Sequence, residues 1–351
     1  MSSSTTTPAP KPKNLNRLGL AMADYKGAPS TLCSGCGHDA VTSQIIKAFY
    51  EMGVDPSQVA KMSGIGCSSK SPAYFLSTAF GFNGVHGRMP ATATGAVLAN
   101  RRLMCIGVSG DGDTAAIGLG QFCHLLRRNV PMIYVVENNG VYGLTKGQFS
   151  PTADLGTQQK SGIVNDLPAM DLCSLAIELG CNYVARSFAG DPKQLVALLK
   201  GAISHKGTAL LDVISPCVTF NNHDASLKSY KWAKEHEELL HQIDFIPHFE
   251  PIQTVDYAEG QVVDVEMRDG SHIRLHKTER GFDPTDKQAA VRLLHEARES
   301  NEFLTGLLYV NPDSKDFVEL LDLVDEPLST LQEDRLRPKP EVLEQIMREY
   351  M

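Results

Sequence analysis

The chain has 351 residues, which at about 150 per domain allows roughly two domains and an ample core. Hydrophobic residues make up 42 % and charged residues 21 %, and 33 basic against 41 acidic side chains leave a formal net charge of −8. That balance describes a globular protein with no basic footprint for nucleic acid, and no apolar run reaches the ~18 residues of a membrane span. The first residues, Met1 to Lys13, are Ser, Thr, Pro and Lys without the apolar stretch of a secretory signal. Eight cysteines are too sparse for a disulfide scaffold, so they are expected as thiols or metal ligands in a reducing, cytoplasmic setting.

In chain order, residues 1–17 read as a disordered polar tail. From Leu18 to about residue 235, apolar runs alternate with helical patterns rich in glycine and small residues. Pro90 to Val97 reads as a small-residue helix that lets neighbours approach closely. Leu103 to Val108 is a continuous apolar run of the kind found in buried parallel strands, ending at Gly110-Asp111-Gly112. A helix follows from about Ile117 to Arg128, its two terminal arginines matching the negative end of the helix dipole. A second apolar run, Pro131 to Val136, ends at Glu137-Asn138-Asn139, completing a βαβ unit. Met170 to Leu179 repeats the helix with Gly180 as its stop, and strands are expected near Tyr183-Val184 and over Leu210–Ile214, the latter running into Ser215-Pro216-Cys217. The expected fold is α/β, a doubly wound, mainly parallel sheet. Beyond residue 236 the texture changes. Val263, Val265 and Met267, then Ile273 and Leu275, alternate around an Asp269-Gly270 turn, and Thr285 to Ser300 is an amphipathic helix. Residues 236–351 therefore read as a C-terminal α+β extension, lying at a subunit interface or as a further layer on the same core.

A strand ending in Gly-Asp-Gly puts a carboxylate at the carboxyl edge of the sheet, where open α/β sheets bind ligands. The next helix points its N-terminus at the same place, favouring an anion. The second strand delivers Asn139 28 residues later, about one βα unit on. Mg²⁺ takes hard oxygen ligands, often with substrate phosphates, and the Asp111 carboxylate, the Asn139 amide and the Val141 carbonyl could supply three. This Gly-Asp-Gly to Asn-Asn unit resembles the pyrophosphate-binding motif of the thiamine-diphosphate enzymes.

The cysteines fall into two groups. Cys105, Cys123, Cys173 and Cys181 lie inside apolar patterns and read as buried small hydrophobes. Cys33 and Cys36 form a Cys-x-x-Cys-Gly, Cys67 sits in the Gly-rich stretch Gly64 to Lys70, and Cys217 follows a proline. Four loop thiolates suit an iron–sulfur cluster or zinc; a redox pair or unrelated thiols remain open on spacing alone.

Taken in order, Cys33-x-x-Cys36-Gly37, Gly64 to Ser68, His86-Gly87-Arg88, Gly110 to Asp113, Asn139 to Gln148 and Pro216-Cys217 resemble the β subunits of 2-oxoacid:ferredoxin oxidoreductases, most closely the 2-oxoglutarate type. The resemblance covers about residues 18–235. It implies one 4Fe–4S cluster on Cys33, Cys36, Cys67 and Cys217, and Mg²⁺ with thiamine diphosphate on Asp111, Asn139 and Val141. Cofactor contacts are further implied at Gly66, Cys67, His86, Gly110, Gly112, Asp113, Gly143 and Leu144. Lys70, Leu144 and Arg88 are implied in substrate binding, Lys70 because a second carboxylate entering a buried site needs a cation. Lys146 and Gln148 are additional candidates, while His223 shows no ligand spacing. The implied activity is CoA-dependent oxidative decarboxylation of 2-oxoglutarate to succinyl-CoA and CO₂ with electrons passed to ferredoxin, in either direction. Only one diphosphate-type domain is visible, so the glutamate that activates the coenzyme is expected on an α subunit in an αβ or α₂β₂ assembly. The alternatives are pyruvate or broad 2-oxoacid specificity, an electron-transfer iron–sulfur module without carbon chemistry, and a zinc-stabilised binding protein.

Overall fold

Strand and helix alternate through most of the chain, and the computed structural model describes residues 14–223, 226–246, 262–266, 272–277 and 282–351. In order the elements are α1 Gly37–Met52, β1 Val59–Ser63, β2 Phe80–Asn83, α2 Met89–Ala99, β3 Met104–Gly110, α3 Leu119–Arg128, β4 Met132–Asn138, the short β5 Val141–Tyr142 and β6 Gln148–Phe149, and α4 Leu172–Glu178. Then come β7 Tyr183–Phe188, α5 Pro192–Ser204, β8 Thr208–Ile214, α6 Tyr230–His236, β9 Glu237–Leu239, β10 His241–Ile246, β11 Val262–Glu266 and β12 His272–Lys277. The chain closes with α7 Lys287–Glu299, β13 Phe303–Val310, α8 Phe317–Leu320, α9 Glu333–Leu336 and α10 Pro340–Glu349.

The main sheet has eight strands in the order β2-β1-β3-β4-β8-β7-β13-β9. From β2 to β7 every pairing is parallel, and β13 then pairs antiparallel to β7. The central strands are apolar on both sides because both faces are covered. Ile106, Val108, Ile133 and Val135 face a core shared with α1 and α5, whereas Cys105, Met132, Tyr134 and Val136 face the core of α2, α3, α4 and α7. Asp191 caps α5 through the Lys193 and Gln194 amides, and Asp171 caps α4 through the Ser174 amide while also pairing with Arg186. The chain leaves β1 toward β2 on one side and later returns on the other side as β3. That reversal is the switch point at which a crevice opens beyond the carboxyl ends of the strands.

The elements expected from the sequence are found close to their places, α1, β1, α5 and β13 were not expected, and three regions differ. Residues 14–17, expected in the tail, are pinned: Asn16 Nδ2 donates to the Tyr25 hydroxyl at 2.7 Å and to the Tyr50 carbonyl at 3.0 Å. The helix after Gly-Asp-Gly starts earlier than expected and contains a π turn over Asp113–Ile117. The C-terminal region divides: α7, β9 and β13 join the main sheet and its core, and only β10, β12 and β11 form a separate three-stranded antiparallel sheet. The Asp269-Gly270 turn lies outside the described residues. Among the described residues no helix is long and apolar enough to cross a membrane.

Candidate cofactor and thiol site

A cleft of about 520 Å³ opens past the ends of β1, β3 and β4. Its walls bring together Gly66, Cys67, His86, Gly110, Asp111, Gly112, Asp113, Asn139, Val141, Gly143 and Leu144, eleven positions proposed from sequence segments far apart in the chain.

Asp111 begins the helix that follows β3 and is 1 % exposed. Its Oδ2 accepts from the Gly140 amide at 3.1 Å, from Thr152 Oγ1 at 2.6 Å and from Ser150 Oγ, and its Oδ1 accepts from the Asn139 amide at 3.3 Å. Burial raises its pKa above the usual carboxylate value, against the pull of these hydrogen bonds and of Lys228. Asn139 turns its side-chain oxygen to the Val141 amide at 3.0 Å, and its carbonyl accepts from Asn221 Nδ2 at 2.7 Å. Carboxylate, amide oxygen and main-chain carbonyl at 111, 139 and 141 are the donor types a hard divalent cation prefers. The glycines have specific reasons. A Cβ on Gly112 would lie 2.3 Å from the Tyr142 ring, whose hydroxyl donates to the Gly112 carbonyl at 3.1 Å. Gly140 adopts φ +74°.

Asp113 lines the same cleft but its oxygens hold the opposite wall. They accept from the Gly87 amide at 2.9 Å and from Ser109 Oγ at 3.1 Å, and His86 Nδ1 lies 3.1 Å away. Arg88 is exposed at the start of α2 and is not among the cleft-lining residues. Gln148 closes the β5–β6 turn on Thr145, accepting from its hydroxyl at 2.6 Å and donating to its carbonyl at 2.7 Å. Lys146 lines an adjacent depression beside Val141.

The four loop cysteines are also neighbours. A Cβ on Gly143 would sit 3.6 Å from Cys67 Sγ and 3.7 Å from Cys217 Sγ, so this glycine packs against two of the thiols, and Cys67 itself lines the cleft. Burial pushes the Cys36 thiol up to about 12, and Glu137 and Cys217 add to the rise. Cys67 is raised too, by burial and by Cys217 and Cys33, while Lys70 opposes the shift. Lys70 is half-buried one turn beyond Cys67, its amide donating to the Cys67 carbonyl at 3.2 Å. Burial and neighbouring thiols thus disfavour the thiolate forms of Cys36 and Cys67, a preference that a bound cation would invert. Among the described residues no three His, Cys, Asp or Glu side chains converge as tightly as one metal ion requires. Cys105, Cys173 and Cys181 are buried in the cores, and Cys123 is half-buried on α3.

Two residues between cleft and thiols escaped the sequence reading. Glu137 is 0 % exposed, accepts twice from Ser71 Oγ at 3.0 Å, and is driven well above its ordinary pKa by burial. His38 places Nδ1 2.6 Å from Ser215 Oγ and 3.5 Å from Glu137, and burial lowers it to about 4, so the ring is neutral. A charged residue inside the apolar run of β4 was the available signal for Glu137.

Residues 61–213 match the C-terminal TPP-binding domain of thiamine pyrophosphate enzymes, and the doubly wound sheet with its cleft at the switch point is that domain. The match narrows with whole-chain relatives. A 2-oxoacid:ferredoxin oxidoreductase subunit beta of Sulfolobus sp is 42 % identical over 72 % of this chain and 83 % of that protein. A 2-oxoacid:ferredoxin oxidoreductase subunit beta of Aeropyrum pernix is 36 % identical over 91 % of this chain and 88 % of that protein. A 2-oxoglutarate:ferredoxin oxidoreductase from Magnetococcus marinus, solved with 2-oxoglutarate, coenzyme A and succinyl-CoA bound, superposes with a TM-score of 0.72 at 30 % identity, covering 93 % of this chain and 96 % of that one. The chain belongs to the β subunits of the 2-oxoacid:ferredoxin oxidoreductases.

Proposed function

We propose that this chain is the coenzyme-holding β subunit of a 2-oxoglutarate:ferredoxin oxidoreductase, complete only with an α subunit. The observation that carries the reading is the cleft at the ends of β3 and β4, lined by Asp111, Asn139, Val141 and Cys67, with Cys67 and Cys217 packed beside Gly143. Similarity to the Magnetococcus marinus enzyme and to a 2-oxoglutarate synthase subunit of Methanocaldococcus jannaschii, 39 % identical over 71 % of that protein, supports the 2-oxoglutarate choice.

In this reading Asp111, Asn139 and Val141 hold Mg²⁺ against the diphosphate of the coenzyme. Burial of the Asp111 carboxylate makes a cation beside it favourable, and the helix starting at Asp111 directs free amides at the phosphates. Cys33, Cys36, Cys67 and Cys217 give up their protons to ligate one 4Fe–4S cluster. Thiamine diphosphate supplies the decarboxylation chemistry and the cluster supplies one-electron transfer toward ferredoxin. Lys70 meets the distal carboxylate of 2-oxoglutarate and Leu144, half exposed at the cleft mouth, packs against its carbon chain. The glutamate that activates the coenzyme comes from the α subunit, and residues 18–235 together with α7, β9 and β13 form the coenzyme domain, with the remaining C-terminal segments at the subunit interface.

The test is anaerobic co-purification with the α subunit, followed by 2-oxoglutarate- and CoA-dependent reduction of ferredoxin. Turnover by the complex and none by the isolated chain is the expected result. A complex that binds no thiamine diphosphate and reduces nothing with any 2-oxoacid overturns the reading. A second reading, broad or pyruvate specificity, is favoured by the Sulfolobus and Aeropyrum relatives, which are named for 2-oxoacids generally. Relative kcat/KM for 2-oxoglutarate and pyruvate decides between them.

A further inference from the structure

We propose that the buried Lys228–Asp154 pair positions the metal-binding turn at Asn139–Val141, and that Phe303 of the C-terminal strand β13 braces the lysine. The inference rests on the reading that this turn presents oxygens to a divalent cation.

Lys228 is 3 % exposed, and its Nζ donates to Asp154 Oδ1 at 2.8 Å. Asp154 Oδ2 is buried without a hydrogen-bond partner among the described residues, so Lys228 is the counter-charge that this carboxylate has. The lysine stem runs directly under the turn: a Cβ on Gly140 would lie 3.3 Å from Lys228 Cδ and 3.0 Å from Asn221 Nδ2. Asn221 donates from the same segment to the Asn139 carbonyl. Gly140 in turn gives its amide to Asp111 and accepts from the Ser150 amide at 3.1 Å. Asp154 is itself fixed, because Asn165 Nδ2 donates to the Ala153 and Asp154 carbonyls at 3.0 and 3.1 Å. The Phe303 ring lies over the outer side of the pair, its centroid 5.7 Å from Lys228 Nζ, with Trp232 edge-on to it at 5.4 Å, and all four residues line a pocket that opens there.

These contacts make the turn a suspended structure. Its upper side faces the cleft, and its lower side rests on an aliphatic stem and a side-chain amide from the segment that also carries Cys217. A buried ion pair is poor evidence of stability in itself, because a hydrophobic replacement of both partners is often as stable. Its place under Gly140, with a ring from a strand more than 70 residues away packed over the lysine, gives it a different use. It fixes the height of Asn139 and Val141 relative to Asp111, and groups that orient metal ligands typically alter metal affinity 10–100-fold when removed.

The experiment uses the apo α/β complex and titrates Mg²⁺ at fixed thiamine diphosphate by calorimetry, with thermal unfolding measured alongside. Lys228→Met is expected to raise the Mg²⁺ half-saturation at least about tenfold, and Asp154→Asn and Phe303→Leu about threefold. A purely structural pair would lower the unfolding temperature and leave the Mg²⁺ half-saturation within twofold of wild type; that result overturns the proposal. If Lys228→Met does not assemble, unchanged half-saturation in both Asp154→Asn and Phe303→Leu overturns it equally. Asp111→Asn is run in parallel. Should it keep wild-type Mg²⁺ affinity, the metal-turn reading itself falls, and that outcome is distinct from a failure of Lys228 alone.

Discussion

The Asp111 carboxylate accepts four hydrogen bonds, from two main-chain amides and two hydroxyls, before any ligand arrives. The four thiols beside it are held far more loosely: Cys33 receives Thr219 Oγ1 at 3.6 Å, and Cys36 and Cys67 are disfavoured as thiolates by burial and by their neighbours. The difference is one of preorganisation. The Asp111 wall is built by the protein's own donors, so in the proposed reading a cation would add only charge there. The thiols are brought together by three loops, and a bound centre would have to supply both charge and cohesion.

Four experiments would break or sharpen that contrast, taken from the largest effect down. Cys217→Ser should abolish the brown iron–sulfur chromophore and with it more than about 100-fold of 2-oxoglutarate-driven ferredoxin reduction, while thiamine diphosphate still binds. Loss of both together would mean that the two walls are one cooperative unit. Asp111→Asn should weaken Mg²⁺–thiamine diphosphate binding about 100-fold but leave the visible spectrum of the cluster unchanged, and the secondary structure should survive because the amide still accepts hydrogen bonds. Lys70→Ala should raise KM about tenfold for 2-oxoglutarate and less than twofold for pyruvate, the size of one charge-assisted hydrogen bond. Equal effects on the two substrates would remove Lys70 from the pocket. The smallest effect lies away from both walls. His241 Nε2 accepts from the Leu307 amide at 3.1 Å, and burial lowers the ring to about 4. The unfolded chain takes a proton there near pH 6.5 that the folded chain refuses until about pH 4. Stability therefore falls as pH drops through that window, by at most about 1.4 kcal/mol per pH unit, and is unaffected by this group above it. His241→Gln should flatten the fall in unfolding temperature between pH 6.5 and pH 5; an unchanged slope would show that the ring titrates normally.

What the sequence made legible divides along the same line. Gly-Asp-Gly after an apolar strand and Asn139 one βα unit later are local patterns, and local patterns report where a backbone turns and which side chain it presents. The division of the cysteines into loop and core groups held for Cys105, Cys173 and Cys181, which are buried, but not for Cys123, which is half-buried on α3. Ser150 and Thr152, which hold Asp111, carry no periodicity and sit 39 and 41 residues away, so only the folded chain reveals them. The Phe303–Val310 strand was not expected from the sequence, and nothing in its own pattern says that it pairs with β7, about 120 residues earlier, across an irregularity between Leu307 and Tyr309. Pairing at that distance is set by the shape of the finished sheet. Arg186 was hidden for a related reason: its partners Asp171 and Asp212 come from a helix cap and a neighbouring strand.

The bare α-carbon at Gly143 lets main chain pack directly against the Cys67 and Cys217 thiols. A methyl group there would meet both sulfurs at ordinary contact distance, so any side chain longer than that of alanine would be built against the thiols themselves.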